Sequence, residues 1–151
     1  MADDAHFHAT EPMAPSAGQL AMLAAVDLAE GAQRFNLTEC LHLSGDLDAE
    51  KCRSALDLLI DRHEMLRAVF LRKGDGWQRS VPSGTASDFT LSDLRDLAPA
   101  EQKKRLEQIK ADFFAMPFDL SRPPLARFLL ARVAERVARG RLLEAGERND
   151  V

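Results

Sequence analysis

Residues 125–133, Leu-Ala-Arg-Phe-Leu-Leu-Ala-Arg-Val, constrain the fold more than any other stretch. Apart from Arg127 and Arg132, the run is apolar at odd and even positions alike. A strand sends alternate side chains to opposite faces of its sheet. A run that is apolar at both parities therefore predicts a central strand, covered on both faces. The chain must then place other strands beside it and helices over it.

Upstream, the sequence offers both. Residues 1–15 are polar, small and proline-bearing, and predict a flexible arm. Ser16-Ala17-Gly18-Gln19 has the S-x-x-Q spacing of a capping box and opens a first helix. Leu20, Leu23, Ala24 and Leu28 fall on one face of it, and Gly31 lies just past its end. Residues 36–43 read as a strand, with Leu37, Leu41 and Leu43 to one side and Thr38, Cys40 and His42 to the other. Ser44-Gly45-Asp46 breaks it. Asp48 is the N-cap of the strongest helix, with Glu50 in its first turn. Cys52, Ala55, Leu56, Leu59 and Ile60 form its apolar stripe, which ends near Arg62-His63.

Residues 65–71 predict a strand, Lys73-Gly74-Asp75-Gly76 a turn, and residues 77–81 the returning strand of a hairpin. Residues 82–87 are loop, and Phe89-Thr90-Leu91 is a short edge strand. Pro99 suits the first turn of a third helix, with Leu106, Ile109 and Phe113 on its buried face and Pro117 as its stop. The order α-β-α-β-β-(β)-α-β predicts an α/β chain of the two-layer α+β kind, a mixed sheet with helices on one side. From Ala134 the strand pattern is lost. Residues 134–151, rich in Arg, Ala, Gly and Glu, stand apart as an atypical tail, frameshifted, disordered or helical.

Composition then removes several classes of function. A chain of 151 residues fits one domain. It is long enough to bury roughly 70% of its unfolded surface without a metal or a disulfide. Its net charge of −4 gives no positive field for nucleic acid. No apolar run approaches the roughly 20 residues that span a bilayer, and the acids and histidines of the N-terminus are unlike a signal peptide. These features place the chain in the cytoplasm, away from membranes. Cys40 and Cys52 lack zinc spacing and read as two buried thiols. His6 and His8 read as part of a solvated arm, and His42 as a partly exposed strand residue. No dinucleotide, P-loop, zincin or nucleophile-elbow motif is present. Taken alone, Arg62-His63-Glu64 is a polar helix end.

Three segments together resemble the condensation domains of nonribosomal peptide synthetases, in the chloramphenicol acetyltransferase-like superfamily. The stretch from Ser16 to Leu23 is similar to the first core motif, S-x-A-Q-x-R-[LM]-[WY]. Ser16, Gln19 and Met22 match it, while Ala21 and Leu23 replace its arginine and its aromatic. Arg62-His63-Glu64-Met65-Leu66-Arg67-Ala68-Val69-Phe70 matches the second motif, R-H-E-x-L-R-x-x-F, at Arg62, His63, Glu64, Leu66, Arg67 and Phe70. Pro117, Phe118, Asp119 and Leu120, followed by Pro124, Leu125 and Arg127, are similar to the P-F-D-L-x-x-x-P-L-x-R stretch before the catalytic strand. The resemblance covers residues 16–133 as the N-terminal part of one lobe of a two-lobed fold. It implies that these residues are structural, with Arg62 and Arg67 as buried or half-buried guanidiniums that need acidic partners.

The family's chemistry depends on a third motif, H-H-x-x-x-D-G, whose second histidine serves the amine that attacks a carrier-bound thioester and whose aspartate is held by an arginine. No histidine in the chain has a histidine neighbour, so no residue takes the catalytic role. The resemblance thus implies a truncated lobe of an amide-forming enzyme, inactive alone. The change at Ala134 suggests an out-of-frame tail. The alternatives are a non-catalytic half-domain that docks on carrier proteins or complements a C-terminal lobe, and a fragment of an epimerization or heterocyclization domain. No cofactor or metal is expected on the chain itself. The phosphopantetheine arm of a carrier (thiolation) domain is implied as the substrate handle, and the open edge of the 125–133 strand as a site of self-association.

Overall fold

The computed structural model describes residues 11–28 and 35–134. His6, His8, Gly31 and tail residues 135–151 lie outside them. Residues 11–15, expected as arm, are seated: Met13 exchanges both backbone hydrogen bonds with Arg79, each at 2.9 Å, and Pro15 is buried.

Helix α1 spans Ala17–Leu28. Its capping box is formed: the Ser16 amide donates to Gln19 Oε1 at 2.8 Å, and the Gln19 amide donates to Ser16 Oγ at 3.3 Å. The buried residue of α1 is Leu23, with Ala25 and Val26 half-buried, whereas Leu20, Ala24 and Leu28 are exposed. The contact face is thus rotated from the one the leucines predict.

Residues 36–43 are not a strand. They lie without ladder hydrogen bonds, and Leu37 is 99% exposed. Alternation can mark a strand, but pairing makes one, and no described strand lies in register beside this segment. Cys40 is accordingly exposed and Cys52 half-buried, rather than both buried.

Helix α2 spans Ala49–Arg62 behind Asp48, whose Oδ1 accepts from the amides of Glu50 at 2.9 Å and Lys51 at 3.2 Å. Those amides hold the Asp48 carboxyl below its usual range. Of the predicted stripe, Ile60 is fully buried and Cys52 and Leu56 half-buried, while Ala55 and Leu59 are exposed. After His63, a single helical turn, α3 (Glu64–Arg67), replaces the first part of the predicted 65–71 strand. Here Met65-Leu66-Arg67 follow local helix propensity, and the β-branched Val69 begins the strand.

Strands β1 (Val69–Lys73) and β2 (Gly76–Ser80) pair antiparallel, with Lys73 opposite Gly76. The two-residue loop places Gly74 at φ +57°, where a side chain would be strained. Strand β3 (Asp88–Asp93) is longer than the predicted edge strand. It pairs parallel with β4 (Arg127–Arg132), the two joined through α4 (Pro99–Ala115). The described strands thus form one antiparallel and one parallel pair, the α+β character expected of the chain. Phe89 points toward α2, where Arg53 stacks 4.9 Å from its ring centre. Asp88, Thr90 and Ser92, of opposite parity, line a cleft with Arg105, Ile109 and Phe113 of α4. Strand β4 is half-buried along its length, with β3 on one edge and no described strand on the other.

Candidate functional site

The three motif-bearing segments meet in one apolar cluster. Leu23 from the first, and Ala68 and Phe70 from the second, are buried together. Leu120 and Leu125 from the third, and Trp77 from the hairpin, pack against them. Two backbone hydrogen bonds fasten the second segment to the third: the Phe70 amide donates to the Leu120 carbonyl at 2.8 Å, and the Leu125 amide to the Leu66 carbonyl at 2.6 Å. The first is tied to the second through Gln19 Nε2, which donates to Met65 Sδ at 3.5 Å. Ser16 caps α1, and Met22 points outward, 52% exposed.

The polar residues of the second segment have different surroundings. His63 ends α2, its amide donating to the Leu59 carbonyl at 3.1 Å, and it also stands at the N-terminus of α3. Its ring is exposed and makes no side-chain hydrogen bond among the described residues. Arg62 and Glu64 are exposed too. The expectation of a buried Arg62 with an acidic partner therefore fails. Arg62 is the last residue of α2 and looks to solvent. Arg67 is half-buried, and its Nε–H is enclosed without an acceptor.

The third segment is a tight polar turn. Asp119 Oδ1 accepts from the Ser121 amide at 2.9 Å and from the Ser121 hydroxyl at 2.6 Å, which hold its carboxyl below the usual range. Pro117 is exposed, and Phe118 and Pro124 are half-buried. Arg127 organises the region. Its Nε lies 3.1 Å from Asp88 Oδ2, its two terminal nitrogens donate to the carbonyls of Met116 and Pro117 at 3.3 Å, and its plane stacks 4.6 Å from the Phe118 ring. A planar fork that reaches three acceptors while lying on a ring is a task for arginine rather than lysine.

Sequence reasoning missed two other fasteners. Asp57 Oδ1 accepts from both the amide and the hydroxyl of Ser87, at 2.7 and 2.6 Å, and ties α2 to the loop before β3. Gln102 Nε2 donates to the carbonyls of Leu94 and Val133, at 3.0 and 2.8 Å, closing the far ends of β3 and β4. Neither residue sits in a motif, and only the tertiary fold brings their partners near.

The described motif residues therefore meet as an apolar cluster held by backbone ties. Among the described residues, no group of three His, Cys, Asp or Glu could hold a metal ion, and no helix is long and apolar enough to cross a membrane. The motif residues that converge do so through packing and backbone ties.

Comparison with known proteins agrees with this geometry. The condensation-domain family model matches residues 12–139. A linear gramicidin synthase of Brevibacillus parabrevis is 38% identical over 104 residues, 67% of this chain and 1% of that protein. Phosphinothricin tripeptide synthetase PhsC of Streptomyces viridochromogenes is 32% identical over 108 residues, 72% of this chain and 10% of that protein. The crystal structure of the starter condensation domain of rhizomide synthetase RzmA superposes with a TM-score of 0.71 at 24% identity, covering 84% of this chain and 30% of that one. The chain spans a small part of these relatives and about a third of a condensation domain. With three motif segments packed as one unit and the family model matching most of its length, the chain belongs to the condensation-domain family.

Proposed function

We propose that the chain is the N-terminal part of a condensation domain, a scaffold that carries no catalytic group of its own. The parent reaction joins a donor acyl or peptidyl group, held as a thioester on one carrier's phosphopantetheine arm, to the amine of an aminoacyl group on a second carrier. The amine nitrogen forms the C–N bond, the C–S bond breaks, and the released thiol takes the proton. These thioesters are substrate handles, and such carrier-dependent chemistry belongs in the cytoplasm.

The observation that carries the reading is the convergence of Leu23, Ala68, Phe70, Leu120 and Leu125. It explains why the three motif segments occur together in a chain with no catalytic histidine pair. Arg67 supports it. A buried N–H without an acceptor costs about 1–3 kcal/mol, so this guanidinium fits a carboxylate from beyond the described residues, such as the aspartate of the third family motif. Residues 16–133 are the proposed lobe segment, which the family match extends at both ends to residues 12–139.

The test is a condensation assay with donor- and acceptor-loaded carriers. The chain alone yields no amide product by mass spectrometry, and His63→Ala changes nothing. Turnover that His63→Ala abolishes would overturn the proposal.

A second reading, a docking or complementing half-domain, is favoured by the surface. Among the described residues, sixteen large apolar side chains are exposed against ten buried apolar residues, as at an uncovered interface. Pull-down against carrier domains and against the remainder of a condensation domain separates a carrier-docking surface from a lobe interface.

A further inference from the structure

We infer that Met13 and Met65 form a methionine-oxidation site, at which a peroxide tightens the hold of the N-terminal segment on the β1–β2 hairpin. The site consists of one guanidinium and two thioethers, and it does not depend on the family reading above.

Arg79, on β2, is half-buried and has no carboxylate partner among the described residues. Its Nη1 donates to Met65 Sδ at 3.5 Å, its Nη2 donates to Met13 Sδ, and its Nε–H is enclosed without an acceptor. Gln19 Nε2 of α1 donates to the same Met65 sulfur at 3.5 Å. Three nitrogen donors thus converge on two thioethers, which are weak acceptors. The backbone bridge between Met13 and Arg79 belongs to the same clasp. Through these contacts the segment before α1, α1 itself, α3 and the hairpin are joined at one point.

Met13 and Met65 are open to a dissolved peroxide, at 41% and 47% exposed. A sulfur lone pair attacks one oxygen of hydrogen peroxide. The S–O bond forms, the O–O bond breaks, and the departing oxygen takes the proton of the transferred hydroxyl and leaves as water. Sulfur is oxidised by two electrons and the peroxide is reduced by two. Sulfoxidation ordinarily disrupts packing, because it turns an apolar side chain polar. Here the sulfurs already face nitrogen donors, and the new oxygen is a strong acceptor beside a guanidinium, so the bonds it receives from Arg79 are charge-assisted. Met22 and Met116 supply the contrast. They are 52% and 47% exposed, yet their sulfurs accept no hydrogen bond among the described residues. Oxidation there finds no waiting donor. Sulfoxide reductases, with a dithiol as reductant, return the oxygen as water, so the tightening is reversible.

The test uses the full chain carrying Met22→Leu and Met116→Leu, treated with hydrogen peroxide until peptide mass mapping shows Met13 and Met65 as sulfoxides. Oxidation is expected to raise the midpoint of thermal unfolding by about 2 °C or more. It should also slow exchange of the Met13 and Arg79 amides by about threefold or more. With Arg79→Leu added, the sulfoxides meet no guanidinium, and the same treatment should lower the midpoint. Arg79→Lys, whose ammonium cannot fork between two acceptors, should keep less than about half of the gain. A midpoint that falls or does not move in the chain with Arg79 overturns the proposal, as does faster exchange at Met13. An equal rise in Arg79→Leu overturns it too, since the gain would then come from outside the clasp. Failure of Met13 and Met65 to oxidise, under peroxide that converts Met22 and Met116 in the unsubstituted chain, overturns the site itself. The exchange measurement needs no change at Arg79, so it decides the matter even where neither Arg79 variant folds.

Discussion

Phe70→Ala is the most informative single change. The Phe70 side chain is 7% exposed and sits with Leu23 and Ala68 where the three motif segments meet. Its amide tie to the Leu120 carbonyl is a backbone bond that alanine keeps, so the substitution isolates packing. Removing a buried phenylalanine to alanine costs about 3–4 kcal/mol, the transfer of the ring plus the cavity it leaves. That is a large fraction of the roughly 5–15 kcal/mol that stabilises a domain. With a urea slope of about 2 kcal/mol per M, the midpoint should fall by about 1.5–2 M. Trp77, the single tryptophan, packs on the same cluster and reports the transition by its fluorescence. Leu37→Ala is the matched control, since a side chain 99% exposed should move stability by less than about 0.5 kcal/mol. Equal midpoints for the two variants would refute the claim that the cluster is the chain's organising core.

Further changes probe the fasteners. Asp48→Ala should cost about 1 kcal/mol by removing the cap of α2, read in thermal unfolding. Arg127→Lys should destabilise by about 1–2 kcal/mol, because an ammonium cannot reach Asp88 and both carbonyls while stacking on Phe118. Asp57 is held below its usual 3.8 by the hydroxyl and amide of Ser87, and Asp93 is lowered to about 2 by hydrogen bonds from the Arg95 side chain and amide. A depressed carboxyl stabilises the fold fully above its unfolded pKa and loses that contribution as pH falls through the folded one. Stability should therefore drop from about pH 4 toward pH 2, less steeply in the Asp57→Asn, Asp93→Asn double variant. Parallel acid profiles would argue against these ties.

What the sequence revealed was mostly local. The S-x-x-Q box at Ser16 and Gln19, the Asp48 cap and the Gly74 hairpin turn each depend on residues a few positions apart, and each appears where its chemistry requires. What stayed hidden depends on partners. Residues 36–43 alternate like a strand, but the alternation names no neighbour, and the segment lies unpaired. The α1 leucines define an apolar face, yet Ala68 and Phe70 select the one that holds Leu23. The Arg62 and Arg67 guanidiniums are alike in the motif, but α2 ends with one in solvent and α3 tucks the other inward. The Asp57–Ser87 and Gln102 ties join residues about thirty positions apart or meet two carbonyls at once, which no local pattern announces.

The central claim is the proposal that these residues are the N-terminal part of a condensation domain, a scaffold without the catalytic histidine pair. It is tested most directly by a chimera in which this chain, through Val133, is joined to the remainder of the matched condensation domain of phosphinothricin tripeptide synthetase PhsC. The chimera is assayed beside the chain alone with that enzyme's loaded carriers. The account predicts amide product from the chimera and none from the chain. A chimera that unfolds cooperatively, as a native domain does, yet forms no product would contradict it, as would product from the chain alone.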